Sequence, residues 1–205
     1  MTEKPAWLRP HGTPWKPGVA RVGFENAWIR VTDQEVTAPT GRPARYGLVH
    51  FKNLAVAVLP IHDDGTVTLV GQHRFPHGDY SWEIPEGGAP LDEDPLEGAK
   101  RELAEETGLA AADWREVLRA QLSNSVTDER MIGYLALGLT EVVTHTHGAD
   151  ETEEIAIVRA PFREVLDAAV AGQMPDMLTV AMLLRGYHMA REGALPGALT
   201  RAMLR

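Results

Sequence analysis

The chain has 205 residues, a net charge of −9, 44% hydrophobic residues and no cysteine. That is enough apolar material for one ordinary domain with an added subdomain, and it excludes a disulfide framework and a thiol nucleophile. The acidic balance argues against a nucleic-acid partner, which calls for a basic surface. No run of about 18 apolar residues and no apolar stretch behind the start MTEKPAWLRPHG points to a membrane, so a cytoplasmic protein without a membrane partner is expected.

Residues 1–18 carry Pro5, Pro10, Pro14 and Pro17, which predicts an extended arm. Ala27 to Asp33 alternates as a strand does and can continue to Thr37. Residues 38–43 are turn chemistry, and Ala44 to Lys52 reads as the returning strand. The result is a small antiparallel unit over residues 1–52. A unit of two or three strands is marginal alone and must pack on the main domain or on a partner chain.

The main domain is expected over 53–193. Leu54 to Ile61 reads as a buried strand, and Thr66 to Gly71 is expected to pair with it across an Asp64-Gly65 hairpin turn. A loop at Pro76–Asp79 precedes a strand at Tyr80–Ile84. The spacing predicts a helix from Pro95 to Thr107, closed at Gly108 by a left-handed cap. Strands follow at Trp114–Ser123 and Met131–Leu139, with the polar loop Asn124–Glu129 between them. His145 to Glu154 reads as an acidic loop, in which His145 and His147 lack a third zinc ligand. A strand at Ile155–Arg159 leads to a helix over Pro161–Ala171, with Val165, Leu166, Ala169 and Val170 as its apolar stripe. Asp176 is the expected N-cap of a helix over Met177–Arg191 that buries Val180, Leu183, Leu184 and Tyr187. Residues 194–205 read as a loose tail. Strands on both sides of one helix, followed by terminal helices, predict an α/β protein with a mixed sheet covered by helices.

The chemistry concentrates between Gly87 and Leu109. Glu102, Glu105 and Glu106 stand at i, i+3 and i+4, on one helical face. Three like charges there repel unless a cation lies among them, and carboxylate oxygens suit Mg²⁺ or Mn²⁺. Leu96 and Leu103 give the helix a side to anchor. The Gly87-Gly88 pair, read as a turn, lets backbone groups approach a ligand closely.

This stretch resembles the Nudix box, G-x5-E-x7-R-E-U-x-E-E-x-G-U, where U is aliphatic. Gly87, Glu93, Arg101, Glu102, Leu103, Glu105, Glu106, Gly108 and Leu109 fill every fixed position. The resemblance implies an α/β/α sandwich and metal-dependent cleavage of a nucleoside diphosphate linked to another group. It implies Glu102 and Glu106 as the main metal ligands, Glu105 as a third or water-mediated one, and the Glu86 carbonyl as a further ligand. Arg101 and Glu93 are expected to pair and to hold the loop on the helix.

Gln72-x-Arg74 followed by Ser81-Trp-Glu-Ile-Pro-Glu-Gly-Gly88 resembles the ADP-ribose and nucleoside-diphosphate-sugar pyrophosphatase branch. That likeness runs over about Ala27 to Arg185. It implies Arg74 on the phosphates, Trp28 and Tyr46 sandwiching the base, Glu129 in the substrate pocket, and a homodimer that shares N-terminal strands. Trp28 is equally well read as a core or dimer residue. The loop Asp150-Glu-Thr-Glu-Glu154 matches the segment that supplies a catalytic glutamate, with Glu151 and Glu153 the best candidates and Glu154 a third. Asn124 and Ser125 stand where close ADP-ribose enzymes carry Ser-Pro-Gly, which leaves nucleotide sugars open. A nucleotide sensor without turnover and an RNA-end pyrophosphohydrolase are the competing readings; the intact box argues against the first and the charge against the second.

Overall fold

The structure, a computed structural model, describes residues 4–142 and 154–205. The chain divides into two compact units, residues 1–52 with 123–128, and residues 53–122 with 129–205.

The first unit is an antiparallel sheet of β1 (Lys16–Glu25), β2 (Ile29–Thr37) and β3 (Pro43–Phe51), in that order. β1 occupies part of the stretch expected to be an arm, and extends beyond it. Its sequence KPGVARVGFE hides the strand: Pro17, Gly18 and Gly23 interrupt the alternation, and the pairing with β2 shifts register between Pro17 and Ala20 and between Val22 and Phe24. It is an edge strand with every residue exposed. Segment 123–128 joins this unit through Val49 N–H on the Val126 carbonyl at 2.9 Å and the Tyr46 hydroxyl on the Ser125 carbonyl at 2.5 Å.

The second unit holds two sheets. One has the order β7 (Glu86–Pro90), β4 (Asn53–Pro60), β9 (Arg130–Glu141), β8 (Leu109–Gln121), with β4 and β9 parallel and the other pairs antiparallel. The other has the order β10 (Ala156–Pro161), β5 (Thr66–Arg74), β6 (Asp79–Glu83). The expected β4–β5 hairpin is therefore a correction. The turn forms, with His62 N–H on the Thr66 carbonyl, but after the single Ile61–Val67 bridge the two strands part into different sheets. Both runs are apolar enough to be central strands, so pattern alone could not say which partner each takes.

The helix α1 (Pro95–Thr107) has the predicted bounds. Asp94 caps it by accepting from Leu96 N–H, Pro95 starts it, and Gly108 closes it at φ 67°. Alternation along the four-stranded sheet sorts its two faces. Val56, Val58, Ile132, Tyr134 and Ala136 meet Ala99 and Leu103 of α1, whereas Ala57, Leu59, Leu135 and Leu137 belong to the core shared with the later helices. Helices thus cover both faces, the α/β/α arrangement that the box implied.

α2 (Phe162–Val170) buries Phe162, Val165, Leu166 and Ala169, while Val170 is 68% exposed. α3 (Met177–Arg191) is capped by Asp176 as expected, but it buries Thr179, Met182, Leu183, Gly186, Met189 and Ala190. Leu184, assigned to the inner face, is 46% exposed. The helix is apolar on most sides, so periodicity did not fix its rotation. The expected tail instead carries α4 (Gly197–Met203), whose Leu199 and Met203 lie in the core. No helix among the described residues is long and apolar enough to cross a membrane.

Candidate active site

Gly87 and Gly88 lie in β7, paired with Val56 and Ala55, and not in a turn. The reason for glycine at 87 is steric. A Cβ there would fall 2.5 Å from Glu102 Oε1 and closer still to the rest of that carboxylate. The bare backbone lets the carboxylate lie flat on the strand. One residue earlier, Glu86 N–H donates to Glu106 Oε2 at 3.1 Å. β7 thus fixes two of the three box carboxylates from below. Gly98 allows the approach, since a Cβ there would come within 2.7 Å of Ala89 Cβ.

Arg101 spans the rest. Its Nη1 donates to Glu102 Oε1 at 2.8 Å and to Glu105 Oε2 at 3.2 Å, and its Nη2 donates to the Gly88 carbonyl at 3.1 Å. The expected pairing with Glu93 is a longer contact of 3.6 Å. Arg101 therefore ties helix to strand mainly through Glu102, Glu105 and Gly88. Glu106 is buried and Glu105 is half-exposed. The donor set is all hard oxygen, with the glycine cradle holding one carboxylate in place. Oxygen donors of this kind suit a hard divalent cation.

Arg74, at the end of β5, binds carboxylates of its own chain. Its Nε donates to Glu83 Oε1 at 3.0 Å and Oε2 at 3.1 Å, and its Nη2 donates to Glu83 Oε2 and, at 3.1 Å, to Glu86 Oε1. Hydrogen bonding to Glu83 raises the Arg74 pKa further above its already high value, against the opposing effect of burial. Burial pushes the Glu86 carboxyl well above the usual carboxylate range, and the charges of Asp176 and Glu83 add to that push. Arg74 borders a cleft of about 620 Å³ lined also by Gln72, His73, Tyr80 and Glu154. It borders a second cleft of about 480 Å³ with Ser81, Glu83 and Asp176.

A family model for the NUDIX domain matches residues 51–179. The chain belongs to the Nudix family. It is 30% identical over 146 residues to the ADP-ribose pyrophosphatase of Mycobacterium tuberculosis (strain ATCC 25618 / H37Rv), a match covering 71% of this chain and 70% of that protein. It is 30% identical over 156 residues to the ADP-ribose pyrophosphatase of Bacillus subtilis (strain 168), covering 76% and 83%. A solved structure described as the crystal structure of ADP compounds hydrolase superposes with a TM-score of 0.79 at 20% identity, over 91% of this chain and 100% of that one. The last likeness is one of fold.

The other sequence-derived candidates of this Nudix chain are each placed within their own unit. Glu129 is half-buried at the entry to β9, where its carbonyl accepts from Leu122 N–H. Trp28 lies in the β1–β2 turn and is 64% exposed. Tyr46 faces Gln34 across the β2–β3 ladder, and its ring meets Trp15 edge-on at 5.6 Å. The register separates Trp28 from Tyr46 by roughly 17–20 Å along the sheet, so one chain does not bring them together. Glu151, Glu153, His145 and His147 lie outside the described residues, and Glu154 is exposed. Sequence reasoning missed Glu83 and treated Asp176 only as a cap. One signal was available: Ser81 and Glu83, two apart in a short strand, put polar groups on one face, and both are buried.

Proposed function

We propose that this protein hydrolyses the pyrophosphate bond of a nucleoside diphosphate sugar, with ADP-ribose the first candidate, to a nucleoside monophosphate and a sugar phosphate. The observation that carries this reading is the Gly87 cradle under Glu102 beside the Glu86 N–H bond to Glu106. It supports this reading because it holds two of the box carboxylates against β7 at the one stretch where every box position is filled. The relatives named as ADP-ribose pyrophosphatases support the substrate class.

Glu102 and Glu106 are the main metal ligands in this reading, with Glu105 and the Glu86 carbonyl completing the set. A Mg²⁺ or Mn²⁺ ion held there would supply charge neutralisation at the phosphates and make a water a better nucleophile. Arg101 holds Glu102 and Glu105 at fixed positions, with Glu93 at its far edge. Glu151 or Glu153 accepts the proton of the attacking water. The oxygen of that water bonds to phosphorus in line with the bridging P–O bond, which breaks, and the leaving phosphate takes the electron pair. Arg74 contacts a phosphate oxygen from the cleft it borders, in exchange for part of its bonding to Glu86. Trp28 and Tyr46 bind the base from different subunits of a homodimer that shares N-terminal strands, and Glu129 borders the pocket. The protein acts in the cytoplasm.

The test is product release from a panel of ADP-ribose, nucleotide sugars, dinucleoside polyphosphates, NADH, nucleoside triphosphates and 5′-triphosphate RNA, each with Mg²⁺ and with chelator. Metal-dependent AMP and ribose 5-phosphate from ADP-ribose, well above the other substrates, is the expected result. A nucleotide sugar in first place keeps the chemistry and moves the substrate. Preferred RNA turnover, or nucleotide binding without turnover, overturns the proposal.

A further inference from the structure

The carboxylates of Glu83, Glu86 and Asp176 offer oxygens that all lie within 4.8 Å of one another. They come from β6, the start of β7 and the N-cap of α3, so the fold assembles them from three separate elements. Their neutralisation is incomplete. Arg74 contributes one guanidinium to Glu83 and Glu86, and Asp176 accepts Thr179 N–H at 2.6 Å through Oδ2. Three carboxyl groups thus share one guanidinium in a largely buried place, a crowding that either a proton held on Glu86 or a cation among the three relieves.

Two further atoms point the same way. Glu86 Oε2 is enclosed and has no hydrogen-bond partner among the described residues. Ser81 is 6% exposed, and its Oγ is likewise enclosed and without a hydrogen-bond partner among the described residues. Ser81 shares the face of β6 that carries Glu83, opposite Gln72 of β5, and lines the 480 Å³ cleft together with Glu83, Asp176 and Arg74. Buried polar atoms normally find partners, so two unpartnered oxygens at one acidic cluster call for a ligand.

We propose that Glu83, Glu86 and Asp176, with the Ser81 hydroxyl, form a second site for a hard divalent cation, distinct from the Nudix box. Oxygen ligands on opposite sides of Ca²⁺ stand about 5 Å apart, from bonds of about 2.3–2.6 Å, and on Mg²⁺ about 4 Å. Oxygens within 4.8 Å of one another can therefore share one cation of this hard divalent class. Glu86 serves both places: its N–H meets Glu106 of the box, while its side chain turns to Arg74. The site stands whether or not the box turns over ADP-ribose.

The experiment counts bound Mn²⁺ by the loss of its free electron paramagnetic resonance signal. The background is the full-length Glu102→Gln/Glu106→Gln protein, which lacks the main box ligands. That protein should still bind one Mn²⁺ per chain, and Ca²⁺ should displace it. Adding Asp176→Asn should weaken this binding about tenfold or more; asparagine still caps a helix, so α3 and the melting temperature should hold. Ser81→Ala should weaken it as well, and Asp176→Asn in the wild type should lower the Mn²⁺ count by one. No binding in the box-deficient protein, or binding indifferent to Asp176→Asn and Ser81→Ala, overturns the site. Loss of ADP-ribose turnover in the wild type leaves this count untouched and bears only on the hydrolytic reading.

Discussion

Gly87→Ala separates activity from stability more cleanly than removal of a glutamate does. The new methyl carbon would stand 2.5 Å from Glu102 Oε1, where ordinary contact begins near 3.4 Å. The carboxylate must retreat by about 1 Å, and a displacement of that size in a positioned group can cost about 10²-fold in rate. Because Glu102 is the far end of a flexible side chain, the fold has an inexpensive escape. Gly87 also has no left-handed φ, so alanine reduces the freedom of the unfolded chain and offsets strain by about 0.4–1 kcal/mol. The expected outcome is a loss of about 10²-fold in kcat with ADP-ribose and a higher Mg²⁺ requirement, at a stability within about 1 kcal/mol of the parent. Steady-state kinetics over a Mg²⁺ series, with urea unfolding in parallel, measure both. Activity within about threefold of the parent at unchanged Mg²⁺ dependence would show that the position of Glu102 does not limit the reaction. Equal losses of activity and stability would place the damage in β7 itself.

Arg101→Lys keeps the charge but loses the fork that reaches Glu102, Glu105 and the Gly88 carbonyl together; metal-supported kcat should fall about 10–100-fold, read from the same Mg²⁺ series. Of Glu151→Gln and Glu153→Gln, one should lose about 10²–10⁴ in kcat, and near-parental turnover in both would remove the base from this segment. Thr179 is fully buried and its hydroxyl oxygen accepts Ile84 N–H at 3.0 Å, so Thr179→Val strands a buried donor and should lower unfolding free energy by about 1–3 kcal/mol in urea. Burial lowers the His62 pKa below its ordinary 6.5, and repulsion from Arg159 lowers it further, over the attraction of Asp64 and Asp63. Below pH 6.5 the unfolded chain binds a proton that the folded chain resists, so His62 withdraws stability as pH falls from 6.5 toward the folded value. His62→Gln should flatten the decline in melting temperature between about pH 7 and 5.

The box helix was legible to the residue because every signal at it is local: Asp94 and Pro95 start it, Gly108 ends it, and Leu103 marks its buried side. Strand pairing was not, because pairing is a long-range choice. Leu54–Ile61 and Thr66–Gly71 look like two arms of a hairpin, and only their separate partners, β9 and β7 for one, β10 and β6 for the other, show why they part. β1 escaped notice because prolines and glycines at an edge strand break the alternation that would reveal it. α4 escaped because Pro196 and Gly197 look like an ending, although Pro196 is the N-cap of a further turn of core.

Within the site, the carboxylates on one helix could be read from spacing, while those gathered from β6, β7 and α3 could not. Glu86 joins the two groups. Its backbone holds Glu106 and its side chain faces Arg74, so a change of charge at that side chain acts on both places. Arg74 makes the link specific. Each hydrogen bond it keeps with Glu83 or Glu86 is one it does not offer to a phosphate, because a guanidinium has five N–H donors in a fixed fork. A cation among Glu83, Glu86 and Asp176 would take over part of that neutralisation and free the fork toward the neighbouring cleft. Occupancy of the second site should therefore lower KM for the phosphate-bearing substrate in the parent and leave it unchanged in Asp176→Asn, a difference that simple charge removal at an exposed carboxylate would not produce.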